Sequence, residues 1–130
     1  MPVEEPDLES AARNYARTLQ EIAGTPPVLD LAHLGLGPDG HTASLVPDDP
    51  VLKINDRDVA LTGIYQSRRR MTLSYPMLNR AHRILFVVTG PEKARMLARF
   101  RDGDASIPAG RIRRDDALVI ADRAALGNMK

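Results

Sequence analysis

A chain of 130 residues with 43% apolar side chains is enough for one domain that buries roughly two-thirds of its unfolded surface. Its 18 basic and 17 acidic side chains leave a net charge of +1, so no global field argues for nucleic acid or a membrane surface. With no cysteine, disulfides and thiolate metal sites are excluded; no run approaches the roughly 18 apolar residues of a membrane span, and Met1-Pro2-Val3-Glu4-Glu5-Pro6-Asp7 lacks the basic and apolar regions of a signal peptide.

Leu8, Ala11, Ala12, Tyr15, Leu19 and Ile22 recur at helical spacing, and Gly24-Thr25-Pro26-Pro27 supplies the stop. Strands are expected over residues 29–34, 59–65, 71–75, 84–89 and 117–121. Ile84-Leu85-Phe86-Val87-Val88 is apolar on every side, as a buried central strand should be. Gly90-Pro91-Glu92 then opens a helix to about Arg101, proline being suited to the first turn. This alternation predicts an α/β fold, a mostly parallel sheet flanked by helices, in a single domain spanning residues 1–130.

The densest chemistry lies just after the first expected strand, in Gly35-Leu36-Gly37-Pro38-Asp39-Gly40-His41-Thr42-Ala43-Ser44-Leu45. Open α/β sheets place ligands at the carboxyl ends of their strands. Glycine lets the backbone approach a ligand, and imidazole suits proton transfer near neutral pH. The stretch satisfies G-x-G-x-x-G, but it does not open into the long helix that a dinucleotide site requires, because Pro47-Asp48-Asp49-Pro50 cuts it short. Asp39 would also bring negative charge towards a pyrophosphate. Two residues from His41, it suits orienting or charge-stabilising the imidazole, or capping a helix. His33, inside an apolar run, reads as a packed strand residue, and His82 as surface. Arg68-Arg69-Arg70 reads either as a solvated loop or as an anion site, since the planar guanidinium fork fits phosphate oxygens. Arg111, Arg113 and Arg114 read as surface.

The turn from Gly35 to Leu45, followed by Pro47, resembles the signature of the 6-phosphogluconolactonase family. Arg70-Met71-Thr72-Leu73, then Pro76, Leu78-Asn79, Phe86-Val87-Val88-Thr89-Gly90 with Lys93, and Ile107-Pro108-Ala109 match further family segments in the same order. The glucosamine-6-phosphate deaminases share the Asp-Gly-His core, but Thr-Ala-Ser-Leu after it favours the lactonases. The resemblance implies a Rossmann-like three-layer fold and hydrolysis of 6-phosphoglucono-1,5-lactone to 6-phosphogluconate in the oxidative pentose phosphate pathway, without metal or redox cofactor. It also implies a cytoplasmic location and a phosphorylated sugar lactone as the molecule bound.

Under that resemblance His41 is the general base and Asp39 its partner. Gly37, Gly40 and Ser44 contact substrate, the backbone N–H groups around them meeting an oxyanion or a phosphate. Many members carry Lys-Pro-Pro ahead of the Arg-x-Thr-Leu block, where this chain has Gln66-Ser67-Arg68, and an arginine, Arg68 or Arg70, replaces the missing lysine. Members of the family carry a substantial half ahead of the Gly-Pro-Asp-Gly-His turn, so the chain is expected to be a carboxyl-terminal portion with an incomplete sheet. An exposed sheet edge then invites self-association. The alternative to an active hydrolase is an inactive remnant that binds sugar phosphates or pairs with another chain.

Overall fold

A computed structural model describes residues 7–127. Met1 to Pro6, most of the stretch read above for signal-peptide features, lie outside them. In chain order the regular elements are α1 (Leu8–Ala23), β1 (Leu31–Leu34), β2 (Val59–Tyr65), β3 (Arg68–Leu73), α2 (Tyr75–Asn79), β4 (Arg83–Val88), α3 (Ala94–Arg101), β5 (Ala117–Ala121) and α4 (Arg123–Leu126). None of the described helices is long and apolar enough to cross a membrane.

Local chemistry sets the boundaries. Asp7 caps α1 by accepting the Glu9 N–H at 3.0 Å, and Gly24 ends it at φ +93°. Ala12 and Leu19 of its inner face pack with Val59, Met71 and Met77, so α1 lies against β2 and β3. Ile22, expected on that face, is exposed, because it stands one turn beyond the hairpin's cover. Ser74 caps α2 and ends β3, which makes Tyr75 the first residue of a helix and not the last of a strand.

Strands β1, β4 and β5 form a parallel sheet in the order β1-β4-β5, with Leu34 opposite Phe86 and Phe86 opposite Val119. The hairpin β2–β3 is separate and antiparallel, with Tyr65 opposite Arg68. It closes on Gln66 and Ser67 at φ +50° and +65°, both left-handed as a two-residue primed turn requires. The arginine triple therefore belongs to a strand and not to a loop.

One face of the parallel sheet carries the core. Ala32, Leu34, Ile84, Phe86 and Val88 are buried there against Leu97, Phe100, Ile107 and Ala109. The other face is uncovered: Leu31, Leu118 and Ile120 keep 51%, 60% and 53% of their surface. That corrects two expectations. His33 shares the open face and is exposed, and β4 is central but covered on one side only. Arg113, expected at the surface, is a half-buried clamp whose guanidinium donates to the Asn79 and Ala81 carbonyls.

Candidate active site

At the carboxyl end of β1 the chain turns back on itself through Gly35 to Leu45. The Gly37 N–H donates to the His41 carbonyl at 2.8 Å, and the Gly40 N–H to the Gly37 carbonyl at 2.9 Å. A side chain at position 37 would collide with the His41 ring, its Cβ lying 2.1 Å from Nδ1. Gly40 sits at φ +87°, and a Cβ there would come within 2.8 Å of Ile107. Both glycines thus shape the loop, and both amides are engaged inside it. This departs from the expected use of those amides as anion donors. Nor does a helix follow His41, since Thr42 and Leu45 bridge each other and Ala43 is left-handed at φ +51°.

This geometry puts the His41 ring on Asp39. Nδ1 lies 2.5 Å from Asp39 Oδ1, and the His41 main-chain N–H donates to the same oxygen at 3.1 Å. Partial burial opposes ionisation of Asp39, yet these two His41 contacts outweigh it and hold the carboxyl below its ordinary pKa. An ionised carboxylate only accepts, so Nδ1 carries the proton of this contact, which leaves Nε2 as the lone-pair nitrogen of the neutral ring. Both side chains keep about a third of their surface, 31% for His41 and 37% for Asp39, so solvent reaches them.

Ser44 is half-buried beside the turn, its N–H donating to Thr72 Oγ1 of β3 at 3.1 Å. The hairpin contributes more. Tyr65 brings its hydroxyl to 3.4 Å from Asp39 Oδ2, and its ring meets that of His41 edge-on at 6.3 Å. Arg70 lies over the Tyr65 ring, 5.3 Å from its centre, and donates to Gln66 Oε1 at 3.0 Å. Cross-strand register puts Tyr65 and Arg68 on one face of the hairpin, and Arg70, two residues on, shares it. Arg69 points the other way and donates to the Thr62 carbonyl. Arg68 is exposed at the tip.

Two residues join the site that sequence reasoning did not place there. Tyr65 is one. The other is Lys93, whose ammonium crosses from the loop after β4 to donate to the Leu36 carbonyl at the root of the turn. Its signal was available in Gly90-Pro91-Glu92-Lys93, a loop at the carboxyl end of the central strand. The Ile107-Pro108-Ala109 segment braces the turn from behind, the Ala109 N–H donating to the Gly40 carbonyl at 2.9 Å.

Comparison with known proteins identifies the family and agrees with the fold. A family profile described as glucosamine-6-phosphate isomerases/6-phosphogluconolactonase matches residues 1–120. The 6-phosphogluconolactonase of Rattus norvegicus is 42% identical over 110 residues, covering 81% of this chain and 43% of the rat protein. Among solved structures, 6-phosphogluconolactonase from Thermotoga maritima is similar with a TM-score of 0.73 at 32% identity, over 88% of this chain and 51% of that one. The Trypanosoma cruzi enzyme of the same name superposes with a TM-score of 0.80 at 24% identity, over 98% and 55%. The chain thus spans about half the length of the relatives it matches.

Proposed function

The chain belongs to the glucosamine-6-phosphate isomerase/6-phosphogluconolactonase family, and on that premise we propose that it carries the water-activating part of a site that hydrolyses 6-phosphoglucono-1,5-lactone. The supporting observation is the His41–Asp39 pair at 2.5 Å, presented to solvent at the carboxyl edge of the sheet. In this reading His41 Nε2 takes a proton from water as its oxygen attacks the lactone carbonyl carbon. The ring carbon–oxygen bond then breaks, and His41 returns the proton to the departing ring oxygen. Asp39 holds the ring and stabilises the imidazolium between the two steps.

The phosphate calls for cations, and the face bearing Tyr65 supplies Arg70 and Arg68, with Lys93 below the turn. Ser44 lines the same approach, while Gly37 and Gly40 act by setting the shape that aims His41. Arg70 is the strongest of the three for the phosphate, because Tyr65 ties it to the reacting end of the site. The test joins this chain to the part of the rat relative that it does not match and follows lactone opening above the spontaneous rate. Arg70→Ala should weaken the phosphorylated lactone about tenfold or more, the size of a lost charge-assisted contact, while sparing the unphosphorylated one. Arg69→Ala should spare both. No rate above background, or equal effects on the two lactones, overturns the proposal.

A second reading has one observation in its favour, the uncovered sheet face. In it the 130-residue chain by itself binds sugar phosphates or pairs with another chain, without turnover. Its mark is a mass in solution above that of the monomer, lost when Leu118 and Ile120 are replaced by polar residues.

A further inference from the structure

Asp39 has two oxygens, and they face different partners. Oδ1 takes both His41 contacts, and Oδ2 faces the Tyr65 hydroxyl at the tip of the β2–β3 hairpin. We propose that Tyr65 is a positioning residue that pins the Asp39 carboxylate from the side opposite His41 and links that pair to the cation at Arg70. The proposal rests on the lactonase reading for its consequence in catalysis, but not for the contact itself.

Three features carry it. First, Tyr65 is held on three sides. Its backbone is fixed by the left-handed pair Gln66 and Ser67, its ring face is covered by Arg70, and its edge is set against the His41 ring. Second, both His41 contacts fall on Oδ1, so the Tyr65 hydroxyl meets the oxygen that they leave over and restrains the same carboxylate torsion from the opposite side. Third, Arg70 stacks on the ring whose hydroxyl stands 3.4 Å from Asp39 Oδ2, a separation long for a hydroxyl donor. A phosphate drawn to Arg70 would pull on the guanidinium that stacks on this ring. Substrate recognition and alignment of the base then share one side chain.

The bland alternative is that Tyr65 merely gives Arg70 a platform. Tyr65→Phe separates the two, because it removes the hydroxyl and keeps the ring. We expect this variant to unfold at the wild-type temperature. In the 130-residue chain the downfield proton resonance of His41 Nδ1–H should broaden or vanish. In the chain joined to the remainder of the rat relative, kcat should fall about 3- to 10-fold with KM within about twofold, the scale of one neutral hydrogen bond. Tyr65→Leu, which also removes the platform, should in addition raise KM for the phosphorylated lactone. A Tyr65→Phe variant with unchanged resonance and unchanged kcat overturns the proposal, as does one whose only change is in KM. If the wild type does not open the lactone at all, the lactonase reading fails, and the Nδ1–H resonance alone still decides the role of Tyr65.

Discussion

Asp39 is useful to His41 only while it is ionised, and its surroundings favour that state. Its pKa is depressed, so the stabilisation it brings is fully present above the ordinary carboxylate value of 3.8 and is lost as pH falls through the lower folded value. Between pH 8 and pH 5 the pair should therefore hold its geometry, because Asp39 stays ionised across that range. A carbon-13 titration of the Asp39 carboxyl should give a midpoint below 3.8; a midpoint above it would mean that burial prevails over the His41 contacts. At this scale Asp39 and His41 were legible because they lie two residues apart, and a turn of glycines can hardly separate them. Tyr65 was not, and for Lys93 the sequence showed only a cation in a loop at the carboxyl end of the central strand. They lie 26 residues from Asp39 and 57 from Leu36 respectively, and only the tertiary fold brings them in.

Among the elements, the turn depends on a brace from far along the chain. Ile107 and Ala109 lie behind Gly40, which explains why Ile107-Pro108-Ala109 belongs with the site although it holds no reactive group. Gly40→Ala would force a Cβ into Ile107 at a left-handed φ, a cost of about 1–3 kcal/mol for the backbone alone. The denaturant midpoint should drop accordingly. Gly35→Ala, where an added Cβ meets nothing within 4 Å, should leave it nearly unchanged. Equal effects at the two positions would show that the brace contributes little. The hairpin was harder to read than the turn. Its tip is Gln66-Ser67 and not the Asn-Gly or Asp-Gly that announces a primed turn, so the sequence pattern starts the strand only after the arginines. The helix from Ala94 to Arg101 followed its proline signal closely.

For the whole molecule, the order of the strands and of the two longer helices was visible in the sequence, whereas α2, α4 and the layering were not. An apolar run such as Ile84-Leu85-Phe86-Val87-Val88 states that a strand can be buried on both sides, but not that both sides are covered. Here Phe86 is fully buried and Val87 keeps 38% of its surface. The two faces of the sheet thus have different fates, and the site sits at the carboxyl edge, served by loops and the hairpin tip. That division places the His41–Asp39 pair, Tyr65 and Arg70 together within this half of the family's length. The central claim is that His41 is the base, and replacing it tests that most directly. With the chain joined to the remainder of the rat relative and spontaneous opening subtracted, His41→Asn should lower hydrolysis of the phosphorylated lactone by at least ~10²-fold while KM changes far less. Turnover near that of the wild type would contradict the account and remove His41 from the chemistry.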